Sequence, residues 1–192
     1  MNPDEIEALR FAPPSPARAL DLGCGEGALA LALARRGAFV VALDRDPAAL
    51  ARAERHPRIA YVRGDACATP FRTDAFDLVT VVKSLHHLPL EPPLAEIARV
   101  VRKGGSAVIV GLHRLRTPED FVRAAGSKIL RVVELGRRGR NPRAERVIMA
   151  MPSDDLPTIR RALAALLPGS TVERARLIRF RARWRKPAED QR

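Results

Sequence analysis

The amino-acid sequence predicts an α/β protein built on a doubly wound, mostly parallel sheet, and two observations predict it. Apolar segments alternate with helix-patterned segments from Ala17 to Gly111, the signature of successive β-α-β units whose helices cover a parallel sheet. The first three apolar segments each run into an acid, Asp21, Asp44 and Asp65, at intervals of 23 and 21 residues. In a sheet of order 3-2-1-4-5 the carboxyl ends of those strands are neighbours on one rim, so the carboxylates converge where ligands of such sheets bind.

The elements follow in order. Strands are read at 17–22, 38–43, 59–63, 76–82 and 106–110. After the first, Leu29 and Leu33 share one face of an Ala-rich helix that Gly37 ends by permitting a left-handed residue. Asp46 caps the next helix, Pro47 opens its first turn, and His56-Pro57 closes it. Leu94, Ile97, Ala98 and Val101 form an apolar helix face before Lys103-Gly104-Gly105 turns the chain into the fifth strand. Beyond Gly111, a helix is expected from Thr117 towards Glu134, an exposed loop over Gly136–Pro142 and another helix over 157–167. Residues 171–186 read as two strands joined by a tight connection near Ile178 to Phe180.

A chain of 192 residues fits one domain able to bury a core without disulfides or metals. No basic start with an apolar run opens the sequence, and no apolar stretch approaches a membrane span. A soluble, cytoplasmic protein is therefore expected, its oligomeric state left open. Cys24 and Cys67 make no metal-binding spacing with each other or with the four histidines, so neither a metal site nor a disulfide is expected. The formal charge of +12 is uneven: residues 1–112 hold 14 Lys+Arg against 13 Asp+Glu, and residues 113–192 hold 20 against 9. Such a field attracts nucleic acid, anionic substrates or anionic membrane surfaces. An Arg-, Ala- and Pro-rich composition produces the same excess without any partner.

The segment Ala19-Leu-Asp-Leu-Gly-Cys-Gly-Glu-Gly-Ala28 is a strand, a glycine-rich turn and a helix start. Gly23 permits the turn, and Gly25 lets a ligand approach the backbone without meeting a Cβ. Amides at the helix start can donate to a carboxylate. The same residues satisfy a loose dinucleotide fingerprint. Asp21 separates the readings, since a negative charge there suits a ligand carrying an ammonium group and opposes a pyrophosphate. Asp44 is placed to accept from both hydroxyls of a ribose, and Asp65 with the Ala66 amide can meet an adenine edge. Each Asp could instead simply cap the helix or turn behind it.

Asp21-Leu-Gly-Cys-Gly-Glu-Gly27, Val41-Ala-Leu-Asp44, Gly64-Asp-Ala66, Thr69-Pro-Phe71, Ala75-Phe-Asp-Leu-Val79, Leu85-His-His-Leu88 and Glu96-Ile-Ala-Arg-Val-Val-Arg-Lys-Gly-Gly105 stand in order along residues 18–110. Together they resemble the class I S-adenosylmethionine-dependent methyltransferases of the ubiquinone and menaquinone biosynthesis type. The resemblance implies a Rossmann-like sheet of seven strands, order 3-2-1-4-5-7-6, the last antiparallel and supplied by the hairpin at 171–186. It implies a cofactor-binding core at about 17–111, with a lid and hairpin region at about 112–186. Asp21 and Gly23 would flank the methionyl part of the cofactor, Gly25 underlie it, Asp44 hold the ribose, Asp65 and Ala66 meet the adenine, and Val82 lie beside it. The chain departs from the family pattern at Lys103, where Pro is usual, and at Lys83, where an apolar residue is usual. Only about 18 residues precede the first strand, so a substrate lid is either missing or drawn from 111–160.

Methyl transfer needs an acceptor held in near-attack geometry, and a hydroxyl acceptor also needs a base. His86 or His87 lies on the right rim with a suitable reference pKa. Adjacent histidines point in different directions, so at most one faces the pocket. Lys83 is read as a solvated side chain and Tyr61 as core. Arg174 and Arg176, then Arg179, Arg181, Arg183 and Arg185, recur with period two, which puts each set on one sheet face. We read them as a charged strand edge in preference to an RNA track, with Trp184 turned towards the core, because aromatics for base stacking are scarce. A small or lipid-like acceptor is expected. An RNA methyltransferase, an NAD(P)-dependent oxidoreductase and a non-catalytic cofactor-binding partner stay open.

Overall fold

The computed structural model describes residues 1–14, 16–116, 152–175 and 178–188. The helix expected from Thr117, the loop over 136–142 and Arg176 lie outside them. Seven strands form one sheet in the order β3-β2-β1-β4-β5-β7-β6. They are β1 (Arg18–Leu22), β2 (Phe39–Asp44), β3 (Ile59–Arg63), β4 (Phe76–Val82), β5 (Val101–Leu112), β6 (Thr171–Arg174) and β7 (Arg179–Arg185). The β3-β2-β1-β4-β5 pairs are parallel, and β7 runs antiparallel between β5 and β6. This is the order and direction the sequence resemblance implies.

Period-two alternation along the strands splits the core between the two sheet faces. Ala19, Val40, Ala42, Leu78, Val108 and Val110 pack with α1 (Pro3–Phe11) and α2 (Ala28–Arg35). Leu20, Leu22, Val79, Val81, Ile109 and Phe180 pack with α4 (Glu91–Val100) and α5 (Leu156–Leu166). Trp184 joins that second face, as expected, and its indole N–H donates to the Pro168 carbonyl at 3.0 Å.

Local chemistry sets the helix ends. Asp155 accepts from the Thr158 N–H at 2.9 Å to start α5, one residue before the expected boundary. The Asp46 carboxylate accepts from Ala48 N–H at 2.8 Å to start α3 (Pro47–Arg52), which stops before the expected His56-Pro57. The sequence reading assigned no element before β1, yet α1 is there. Asn2 accepts from the amides of Asp4 and Glu5, while Glu5 accepts from Asn2 N–H at 2.6 Å, a reciprocal cap with Pro3 in the first turn.

Two further boundaries differ from expectation. The fifth strand begins at Val101, directly after α4, where Val101 pairs with Phe76. It resumes at Ser106 opposite Leu78 after an irregularity, with Gly104 at φ 73°. A Cβ on Gly105 would lie 2.9 Å from the Arg102 carbonyl oxygen, so the glycine pair bends a continuous strand here and does not precede one. The hairpin connection falls between Arg174 and Arg179, with Phe180 already paired to Arg174.

Of the expected charged edge, Arg174 stands exposed on the edge strand β6, but the longer row lies on an internal strand, where Arg183 and Arg185 remain exposed. β7 is internal, and Arg179, Arg181 and Arg183 reach α1. Arg179 meets Asp4 at 2.8 Å and Arg181 meets Glu7 at 2.7 Å. Arg181 also pairs with Glu173 of β6, and the guanidinium groups of Arg181 and Arg183 lie 4.7 and 4.9 Å from the Phe11 ring centroid. Period two identifies a shared face but not what covers it. Among the described residues, no helix is long and apolar enough to cross a membrane.

Candidate functional site

The sheet's carboxyl rim forms a cleft lined by the sequence-predicted Gly23, Asp44, Asp65, Ala66 and His87, whereas Asp21, Gly25, Val82 and His86 do not line it. Asp21, at the end of β1, is 2% exposed and accepts from Thr80 Oγ1 of β4 at 2.8 Å. Burial pushes its carboxyl up to about 7; the Thr80 hydrogen bond opposes the shift, and the nearby Glu5 and Asp44 carboxylates add to it. No cation reaches Asp21 among the described residues, so this buried acid lacks a countercharge.

The glycine turn follows. Gly23 takes φ 69°, and a Cβ there would lie 2.2 Å from Ser84 Oγ. Ser84 Oγ donates to the Gly23 carbonyl at 2.9 Å. The Leu43 carbonyl accepts from Gly23 N–H at 2.7 Å and from Cys24 N–H at 3.1 Å, which ties the turn to the end of β2. Gly25 is at φ 55° with nothing within 4 Å of a Cβ position, so its bare face opens on free space. Tyr61 packs against the core from its margin. It is half-buried, its hydroxyl donates to the Glu54 carbonyl at 2.9 Å, and a Cβ on Gly27 would lie 2.5 Å from that hydroxyl.

Asp44 closes β2. Its carboxylate accepts from Gly25 N–H at 2.7 Å and from Asp46 N–H at 2.9 Å, leaving further lone pairs on both oxygens. Asp65 is exposed and accepts from Cys67 N–H at 2.8 Å, the local turn bond its residue type favours. Ala66 is buried beside it. The loop carrying them is pinned to α4. Glu96 accepts from Thr69 N–H at 2.8 Å, and Arg99 donates to the Phe71 carbonyl at 2.6 Å. Arg99 also pairs with Glu96, which, with the Thr69 bonds, holds the Glu96 carboxyl down at about 2. The Thr69-Pro-Phe71 and Glu96-x-x-Arg99 segments are thus two halves of one clasp.

Gly23, Asp44, Asp65, Ala66, Ser84 and His87 all line the cleft. Val82 ends β4 just before them, half-buried. His86 and His87 form one 3₁₀ turn with ring centroids 4.0 Å apart. His87 faces the cleft. Both ring nitrogens of His86 are buried without a hydrogen-bond partner, and burial lowers its pKa to about 4, with His87 and Lys83 contributing. Lys83 also lines the cleft but is not simply solvated, since its ammonium meets Asp4 Oδ2 at 2.9 Å. Sequence reading missed Ser84, Arg45 and Asp4, which lack a diagnostic spacing. The capping pattern from Asn2 to Glu5 could have revealed the helix that carries Asp4.

Residues 20–109 match the family described as Methyltransferase domain. An uncharacterized methyltransferase of Synechocystis is 41% identical over 50% of this chain and 48% of its own length. Demethylmenaquinone methyltransferase of Beutenbergia cavernae is 38% identical over 48% of this chain and 39% of its own. The chain thus spans about half or less of these relatives' length. Residues 20–109 are therefore similar to a methyltransferase domain, as the ordered motifs implied. An S-adenosylmethionine-dependent methyltransferase from Mesorhizobium loti shares the fold of this chain, with a TM-score of 0.67 at 19% identity, covering 94% of this chain and 96% of that one.

The donor set fits S-adenosylmethionine, the cofactor of this class. A buried carboxylate without a countercharge, an open face at Gly25 and a half-exposed Asp44 suit, respectively, an ammonium, a closely approaching chain and a pair of hydroxyls. A pyrophosphate would instead meet the negative charge of Asp21.

Proposed function

We propose that this protein transfers a methyl group from S-adenosylmethionine to a small, lipid-like acceptor, and that residues 1–192 work as one domain. The observation that carries the reading is the pair Asp21 and Asp44: two carboxylates at adjoining strand ends, without cation partners among the described residues, on either side of an open glycine turn. Asp21 receives the ammonium group, Gly23 and Gly25 give the methionyl chain its close approach, and Asp44 accepts from the ribose hydroxyls. Asp65 and the Ala66 amide meet the adenine, with Val82 alongside. The bound cofactor supplies an electrophilic methyl group on a sulfonium. His87 faces the cleft and takes the proton when the acceptor is a hydroxyl, while His86, whose ring nitrogens are buried, does not line it.

The name of the Beutenbergia relative supports a quinone-like acceptor. Commitment of Arg179, Arg181 and Arg183 to carboxylates weighs against a nucleic-acid track on β7. Continuity of one sheet from β3 to β6 supports a single domain, with 17–111 binding the cofactor and 112–186 completing the sheet and the acceptor side.

Calorimetric titration with S-adenosylmethionine, S-adenosylhomocysteine and NAD(P) tests the cofactor. Binding of the first two and not the third is expected, and the reverse selectivity overturns the assignment. Methyl transfer from labelled cofactor to reduced demethylmenaquinone, set against total cellular RNA, tests the acceptor. Labelled RNA with unlabelled quinol would replace the lipid-like class.

A further inference from the structure

Lys83 occupies the left-handed backbone region at φ 57°, a conformation that a residue with a Cβ adopts at a cost. Two contacts hold it there. Its N–H donates to the Val110 carbonyl at 2.8 Å, and its ammonium meets Asp4 Oδ2 at 2.9 Å. Asp4 is itself fixed, 2% exposed in the first turn of α1, with its other oxygen 2.8 Å from Arg179 Nε of β7. Asp4 Oδ2 and Arg179 Nε are buried without hydrogen-bond geometry, so charge holds these contacts, and burial of the carboxylate shields them from the water that weakens a surface ion pair.

Ser84 comes directly after this strained residue, and its Oγ binds the Gly23 carbonyl at 2.9 Å. The approach is close enough that any Cβ on Gly23 would collide with it. A change of backbone at Lys83 therefore swings Ser84 and alters the glycine turn. His87, on the following 3₁₀ turn, moves with the same segment.

We propose that Asp4 is a positioning residue for the glycine turn: its ion pair with Lys83 holds the left-handed conformation from which Ser84 grips the Gly23 carbonyl. α1 then does more than cover the sheet. It fixes, from the opposite side of β4, the geometry of the turn proposed to receive the methionyl chain. The inference rests on reading that cleft as the adenosylmethionine site.

A double-mutant cycle tests it, with S-adenosylhomocysteine affinity measured by calorimetry and thermal unfolding recorded for every variant. Asp4→Asn should weaken binding by about ten-fold where Lys83 is present, the loss appropriate to releasing one strained residue. In the Lys83→Gly background the same change should cost less than about two-fold, because glycine holds a positive φ without an anchor. Arg179→Gln, which leaves the Asp4–Lys83 pair but removes one support of Asp4, should lower the unfolding temperature and weaken affinity less than Asp4→Asn does. Lys83→Met breaks the pair from the cleft side and serves if Asp4→Asn fails to fold; it should bind more weakly than Lys83→Gly. Equal losses from Asp4→Asn in both backgrounds, or Met and Gly variants of equal affinity, overturn the inference alone. A wild-type protein that does not bind S-adenosylhomocysteine overturns the functional reading, and the inference with it.

Discussion

The rim of β1 and β2 and the β5–β7–β6 side of the sheet use acidic residues in opposite ways. On the β7 side each carboxylate meets a guanidinium: Asp4 with Arg179, Glu7 with Arg181, and Glu173 with Arg181 and Arg183. On the rim, Asp21 has a threonine hydroxyl, while Asp44 and Asp65 have backbone amides. Burying a carboxylate without a cation is costly, and folding alone gives no reason to retain it. An acid whose only partners are neutral is available to a ligand's positive or hydroxyl groups, whereas a paired acid is already spent on the fold.

That contrast can be broken at several points. The largest effect is expected from Gly23→Val, which places a branched side chain against Ser84 Oγ at a residue with φ 69°. S-adenosylhomocysteine affinity should fall by at least about 100-fold, and tight binding in a folded variant, measured by calorimetry, would remove the turn from the site.

Asp44→Ala should weaken cofactor binding by about 1.5–3 kcal/mol, the range for hydrogen bonds to a charged group. It also frees the Gly25 and Asp46 amides, so the unfolding temperature should drop modestly. Unchanged affinity in the calorimeter would reassign Asp44 to capping alone.

Asp21 supplies a pH test. Its folded value, about 7, lies above the ordinary 3.8, so the folded state disfavours the ionised form. Its contribution to ligand-free stability is complete below the ordinary value and is lost as pH rises through about 7. Glu96 and Asp155, both lowered to about 2, act the other way; their contribution is present above the usual carboxylate range and is lost as pH falls towards 2. Urea unfolding of Asp21→Asn should therefore show a smaller fall in stability between pH 4 and 7 than the wild type. Parallel curves would mean that Asp21 is ionised without penalty.

The smallest effect is expected on the paired side. Arg181→Gln should cost about 1 kcal/mol of stability and leave cofactor affinity unchanged. A loss of affinity would join the two regions that the charge pattern separates.

Much of this arrangement was legible in the sequence because it is local and periodic. The β-α-β alternation fixed the parallel strands, and acids at strand ends with glycines between them located the rim. What escaped depends on partners far apart in the chain. α1 has a readable cap, but its purpose lies in Lys83, Arg179 and Arg181, which no spacing connects to it. The arginine alternation revealed a face but not the helix lying over it. Tyr61, in a strand of mixed pattern, reads as core and does pack on it, but its contact with the bare Gly27 is not visible in any spacing. The early start of β5 depends on α4 leading directly into the sheet across a glycine bend, which composition presents as a turn.

Leu43 gives the rim a property beyond its shape. One carbonyl receives two amides of the glycine turn, the next residue is Asp44, and a Cβ on Gly64 would touch the Leu43 side chain at 3.0 Å. The glycine turn, Asp44 and the Gly64 loop, where the proposed ligand would be held, are therefore referenced to a single residue, much as the jaws of a caliper share one beam. A disturbance of β2 displaces them together and tends to preserve the span between them. Thermal motion at this edge of the sheet should then shift the register of the whole ligand more readily than it stretches the gap the ligand must bridge.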